Sequence, residues 1–414
     1  MIKRARAKLD GLLTEYSPRF GLDLNYFVKG GFWLGLDQGF NLFKYFILSI
    51  LFANFLTKEV YGQYSFVMGI VAIASIFTLP NLIPAVVQSI SKGKDGIYLK
   101  AVHKSMLFSL LGSLFMLGAS IFCQFTGREY GSLIFLFLVF LFPFYYSSSY
   151  FTSVLIGKEK FKKMAVLNVI FSVVSLVLIG LVVYVKQELF WIILATVVVK
   201  ILVHGYYSFV FVRDELRNDK FDEKSLEFGM KTNLSQVLLT FSGYLETLLI
   251  PFFLGFESLA IYAIITLIPN QVKISFNSLS PLFLPKLSKK ESSRKELMGH
   301  TLKIILIAVV CIIGYVLVSP FVFKWFYFPY YNYVWLSMLF SLSLIILPYN
   351  FLVANIQAKL DVKKINRLNF FNAVFLSVCV LIGLQFGLFG LVISRIVYRS
   401  LILISTIKFN YSIN

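Results

Sequence analysis

A chain of 414 residues that is 58% hydrophobic and only 14% charged lies outside the composition of a soluble globular domain, and its apolar residues come in long blocks. The formal net charge of +19 would point to nucleic acid in a soluble protein, but most Lys and Arg sit in short loops between those blocks. They therefore report membrane topology, nucleic acid is excluded as a partner, and an all-α polytopic protein of the lipid bilayer is expected.

The first 26 residues are basic (Lys3, Arg4, Arg6, Lys8, Arg19) and lead into no short apolar core with a small-residue cleavage site, so they read as a cytoplasmic segment rather than a cleaved signal. Apolar stretches long enough to cross about 30 Å of hydrocarbon then follow near 27–54, 62–89, 103–125, 131–156, 163–185 and 189–212. Six more lie near 228–254, 258–284, 302–323, 333–358, 366–386 and 388–409, for twelve spans in all.

Loop charge fixes the expected orientation. Lys92, Lys94, Lys100 and Lys104 follow span two; Lys158, Lys160, Lys162 and Lys163 follow span four; Arg213, Arg217, Lys220, Lys224 and Lys231 follow span six. The same side is basic again after spans eight (Lys286, Lys289, Lys290, Arg294, Lys295, Lys303) and ten (Lys359, Lys363, Lys364, Arg367). The opposite side holds only Lys58, Arg128, Lys186 and Lys324, which places the basic loops and both termini in the cytoplasm.

The polar stretch 213–227 falls midway and is read as the linker between an N-lobe, 27–212, and a C-lobe, 228–414. A weak repeat supports the division. Phe55-Leu56-Thr57-Lys58-Glu59-Val60-Tyr61-Gly62-Gln63-Tyr64 recurs at an offset of 198 as Phe253-Leu254-Gly255-Phe256-Glu257-Ser258-Leu259-Ala260-Ile261-Tyr262. With six spans per half, the halves insert in the same orientation about a pseudo-twofold axis along the membrane normal, and a transport site is expected between them.

Charge inside the spans is the functional signal. Lys200 and His204 lie one turn apart in span six, and Arg395 with Arg399 repeat the pair in span twelve at an offset of 195. Counting 1.5 Å per residue puts Lys200 about 16–18 Å along its span, close to the midplane, where a Lys or Arg costs about 2.5–3.5 kcal/mol on insertion scales. Such residues are either structural cations bonded inside the bundle or a basic wall facing a water-filled cavity. Span one adds Asp37 and Lys44, two turns apart in height; span seven adds Glu246 and span eight Lys273. Glu246 reads as a protonatable or ion-binding carboxylate or as the salt-bridge partner of an arginine. Pro80, Pro84, Pro143, Pro251, Pro269, Pro281 and Pro348 interrupt spans and can bend them. Trp325, Tyr327, Tyr330, Tyr331 and Tyr333 are expected to form an interfacial aromatic girdle.

Cys123, Cys311 and Cys379 show no paired or metal-ligand spacing and read as small core residues. Neither a phosphate-binding Gly-rich loop followed by Lys and Ser or Thr nor a His-Glu metal motif occurs, so no direct ATP hydrolysis, metal or cofactor is expected.

The sequence resembles the Wzx-type oligosaccharide-lipid flippases, in the superfamily that also holds multidrug extruders. The resemblance rests on Glu59-Val60-Tyr61-Gly62-Gln63-Tyr64, on Gly157-Lys158-Glu159-Lys160-Phe161, and on Gly243-Tyr244-Leu245-Glu246 through Phe252-Phe253-Leu254-Gly255 to Ala260-Ile261-Tyr262. It implies two six-helix lobes around a cationic cavity in the bacterial inner membrane. The implied cargo is an undecaprenyl-diphosphate-linked oligosaccharide, moved to the outer leaflet for O-antigen or capsule assembly alongside a polysaccharide polymerase and a chain-length regulator. Lys44, Lys200, His204, Lys273, Arg395 and Arg399 are then the expected substrate-binding residues, and Asp37 and Glu246 the candidates for coupling H+ or Na+. The alternatives are a cation-coupled multidrug exporter, whose cationic drugs would want an acidic cavity, and a membrane-embedded polymerase or acyltransferase, for which no catalytic set is visible.

Overall fold

The computed structural model describes residues 24–127, 129–277, 294–358 and 362–411; the basic segment before residue 24, Arg128, Pro281, Lys286, Lys289, Lys290 and Lys359 lie outside these. Among the described residues there are fifteen α-helices and no strand. The first half holds α1 (Leu24–Phe55), α2 (Lys58–Ala74), α3 (Leu82–Ser91), α4 (Ile97–Phe125), α5 (Glu129–Ser147), α6 (Phe151–Gly157), α7 (Phe161–Val185) and α8 (Leu189–Tyr207). The second holds α9 (Glu223–Phe253), α10 (Phe256–Asn277), α11 (Arg294–Phe326), α12 (Val334–Ser341), α13 (Tyr349–Ala358), α14 (Val362–Leu384) and α15 (Gly387–Tyr411).

Ten helical segments among the described residues are long and apolar enough to cross a membrane, which makes this a multi-pass membrane protein. The long helix α1, which carries Asp37 and Lys44, is not among the ten, and α9 contributes a shorter apolar stretch, Val237–Phe253. Lipid replaces water at the periphery. On α11, Leu306, Val310, Leu317 and Phe321 form one stripe at helical spacing, and Leu306 is 67% exposed and Phe321 69%.

Span two, expected as one stretch, is broken. Leu79 adopts a left-handed backbone (φ 54°) ahead of Pro80, and the chain resumes as α3 at Leu82. Span four also divides, into α5 and α6, with Pro143 inside α5.

The halves repeat one packing scheme: α1 packs on α7 as α9 does on α14, α7 on α8 as α14 does on α15, and α4 on α5 as α11 does on α12. Across the middle, α2 packs on α10, and here the two repeat segments touch. A Cβ on Gly62 would come within 1.9 Å of the Phe256 carbonyl oxygen, and one on Gly69, two turns along, within 2.5 Å of Thr247 Cγ2. Only residues this small let the backbones approach so closely.

At the short-loop end, Asn54 Nδ2 donates to the Phe326 carbonyl (2.7 Å) and the Ser49 and Tyr327 hydroxyls are 2.8 Å apart. Tyr327 and Tyr330 are buried in this contact, whereas Trp325 and Tyr331 are exposed, so only part of the expected girdle faces outward. For Tyr327 the reason is that its hydroxyl bonds across the two halves to Ser49.

At the basic end, the segment after α8 is knitted to the first half. The buried Asp95 carboxylate accepts from Lys158 Nζ (2.6 Å) and the Arg217 amide (2.9 Å), and Glu215 accepts from Lys160 (2.5 Å) and Lys163 (3.0 Å). Asp222 pairs with Lys94 (3.1 Å) and caps α9 by accepting from the Ser225 amide (3.4 Å). Helix α9 thus starts at Glu223, inside the stretch 213–227 read as linker.

Candidate functional site

A cavity of about 580 Å³ opens among α1, α2, α5, α7, α8 and one edge of α10. The periodicity of α8 explains its wall, since Thr196, Lys200 and His204 are spaced four apart and so stack on one face. On α1, Asp37, Asn41, Lys44 and Leu48 recur at three or four residues and face the same space.

Neither lysine has a carboxylate bound to it. Lys44 Nζ lies 4.4 Å from the centre of the Tyr45 ring and 4.9 Å from that of Phe171; Lys200 Nζ lies 3.9 Å from Tyr145 and 4.6 Å from Tyr146. Among the described residues no ion pair or hydrogen bond engages either ammonium group; aromatic faces lie against both, and the Asp37 carboxylate stands in electrostatic range of Lys44 without pairing with it. Asp37 instead accepts a hydrogen bond from Asn168 Nδ2 at 2.9 Å. His204 is buried beside Phe171, with Nδ1 3.2 Å from Ser149 Oγ and Nε2 without a hydrogen-bond partner.

The second pair of cations sits elsewhere. Arg395 on α15 grips Glu246 on α9 bidentately, Nε to Oε1 at 2.6 Å and Nη2 to Oε2 at 2.7 Å. Arg399, one turn on, donates to Ser343 Oγ and Asn270 Oδ1, both at 2.7 Å, and Lys273 stands in electrostatic range of Arg399, Arg395 and Glu246. None of these four charged groups lines the cavity, to which the second half contributes Leu267 and Gln271. The structure therefore brings Asp37, Lys44, Lys200 and His204 together and holds Arg395, Arg399, Lys273 and Glu246 as a separate cluster. Burial dictates that separation, because a desolvated guanidinium facing a carboxylate within reach pairs with it.

Sequence reasoning from charge alone missed the uncharged lining: Asn41, Tyr45, Tyr64, Tyr145, Phe171 and Thr196. Helical spacing from the lysines would have found Asn41 and Thr196. A second, almost wholly apolar cavity of about 590 Å³ lies between α1 and α10, lined by residues such as Phe43, Phe46, Val272 and Phe276, and shares Leu267 and Gln271 with the first. No group of three or more His, Cys, Asp or Glu among the described residues is placed to hold a metal ion.

Residues 27–289, more than half of the chain, match the family described as polysaccharide biosynthesis protein. No curated protein sequence matches the chain. Among solved structures, the lipid II flippase MurJ in an inward closed conformation is similar over 93% of this chain and 87% of its own, at 15% identity and a TM-score of 0.67. A multidrug resistance MATE family transporter of the MOP superfamily is similar in its inward-facing conformation over 91% of this chain and 94% of its own (15% identity, TM-score 0.61). In an outward-facing conformation such a transporter is similar over 94% of both chains (14% identity, TM-score 0.58). At these identities the likeness is one of fold.

Proposed function

The chain belongs to the polysaccharide biosynthesis protein family, and from that premise we propose that it is a flippase. Its cargo is an undecaprenyl-diphosphate-linked oligosaccharide, carried from the inner to the outer leaflet of the bacterial cytoplasmic membrane for O-antigen or capsule assembly. One observation carries the reading: two lysine ammonium groups, Lys44 and Lys200, face an internal cavity with no carboxylate bound to them. An anion entering that cavity meets charge already desolvated and in place, and a diphosphate leaving water needs such donors. A cationic drug would meet repulsion there, which disfavours the exporter reading.

The apolar cleft between α1 and α10 suits the lipid tail, which stays in the bilayer while the headgroup enters sideways. Rocking of the two lobes, with twelve membrane crossings and both termini cytoplasmic, supplies alternating access. With Glu246 neutralised by Arg395, Asp37 is the better placed carboxylate for coupling H+ or Na+, if the cargo gradient does not suffice.

The test is surface polysaccharide in cells whose own copy of this gene is deleted and replaced by variants. Lys44→Ala and Lys200→Ala, and more so the double variant, lose surface polymer, and Lys200→Arg retains part of it. Normal polymer from the double variant at normal protein levels overturns the proposal.

A further inference from the structure

The cavity is stratified along the membrane normal. Helix α1 runs from the basic end to the short-loop end, and α8 runs back, so position along each gives height. Every charged lining residue lies at the level of Lys44 and Lys200 or nearer the basic end. Beyond them, over the eight residues from Lys44 to Phe52, or about 12 Å of helix, the wall carries no charge. It carries instead the hydroxyls and rings of Ser49, Tyr61, Tyr64, Ser65, Ser175 and Thr196, set among apolar side chains such as Leu48 and Ile179.

The direction of these hydroxyls matters. Ser65 donates its proton to the Tyr61 carbonyl (3.0 Å), Ser175 to that of Ser172 (3.1 Å) and Thr196 to that of Ile192 (2.7 Å). Their donors are spent on their own helices, and what remains for an occupant is lone pairs. An ionised phosphate can only accept, so these three hydroxyls offer it nothing, and the wall holds no cation for it. A sugar carries O–H donors for those lone pairs and C–H faces that lie flat on aromatic rings. Toward the short-loop end Ser49 continues the same uncharged lining, its hydroxyl 2.8 Å from that of the buried Tyr327.

Resting on the flippase reading above, we infer that the cargo enters sugar-first: the diphosphate stops at Lys44 and Lys200, and the first sugars occupy the hydroxyl-and-tyrosine chamber beyond, which selects the repeat units accepted. The sugars then lead on exit when the short-loop end opens, and the diphosphate is the last group released.

The experiment uses the full chain in nanodiscs and measures binding of undecaprenyl diphosphate alone and of a panel of undecaprenyl diphosphates bearing one to four sugars. The best sugar-bearing lipid binds about tenfold or more tighter than the bare one, as two added neutral hydrogen bonds allow. Ser65→Ala with Thr196→Val brings that ratio toward one; where this variant does not fold, Tyr64→Phe reports the same ratio. Lys200→Ala weakens bare and sugar-bearing lipid alike. No panel member binding tighter than the bare lipid, or a ratio unmoved by the chamber variants, overturns the sugar chamber and leaves the flippase reading standing. Affinities for both lipids unmoved by Lys200→Ala overturn the flippase reading itself.

Discussion

Glu246→Ala leaves Arg395 desolvated with no counter-charge. The native pair makes two hydrogen bonds, at 2.6 and 2.7 Å, between side chains only 14% and 5% exposed, so solvent screening relieves little of the loss. Removing one partner of such a pair costs about 3–5 kcal/mol, or about two to three and a half decades in the folded-to-unfolded ratio at 1.4 kcal/mol per decade. Glu246→Leu with Arg395→Met removes both charges and restores most of that stability, because it is the orphaned ion and not the missing bridge that destabilises. The assay is the fraction of protein surviving a heat step in nanodiscs, read by size-exclusion chromatography with fluorescence detection. A Glu246→Ala protein that melts with the wild type, or a double variant as fragile as the single one, refutes the reasoning. Because the double variant is stable, its surface polymer yield reports separately on any transport role of the pair.

Gly62→Ala forces a Cβ onto the Phe256 carbonyl oxygen, a backbone atom that cannot swing aside; the expected loss is about 1–3 kcal/mol or more, read as reduced yield and earlier melting. Gly69→Ala meets a threonine methyl group instead and is milder in the same assay. Asp95→Ala leaves the Lys158 ammonium and the Arg217 amide unpaired, at a cost of about 2–4 kcal/mol, and opens residues 213–222 to limited proteolysis. The Lys94 hydrogen bond holds the Asp222 carboxyl below the usual carboxylate range. Its contribution is therefore present above the unfolded aspartate value of about 3.9 and is lost as pH falls below it. Hydrogen exchange at the first turn of α9 should accelerate through that acid window in the wild type and be independent of pH there, after correction for the intrinsic rate, in Asp222→Asn.

The helical, membrane-spanning architecture was legible because each apolar block must satisfy its own backbone; of the twelve expected spans, ten helical segments among the described residues are long and apolar enough to cross. That Lys200 and His204 share one face was legible from helical spacing. What the sequence left open were partners. Glu246 and Arg395 stand 149 residues apart, and nothing local distinguishes an arginine that finds a carboxylate from one that faces a cavity. The cavity tyrosines were hidden for a different reason: in a helix apolar on every side, Tyr64 and Tyr145, which face inward, look the same as Tyr184, which faces out. The break at Leu79 was half visible, since Pro80 and Pro84 marked the place but not the left-handed turn that divides span two.

Two matched halves with equivalent cation pairs could have made a symmetric machine with two grips. Here the arginines on α15 are already spoken for, by Glu246 and by Ser343 with Asn270, while the lysines on α1 and α8 are not. The duplication has diverged into a half whose lysines stay open to the cavity and a half whose arginines are tied up inside the bundle. On the proposed flippase reading one open pair means one headgroup per cycle, so titration of the purified protein with a phosphate-bearing lipid should saturate at a single equivalent per chain.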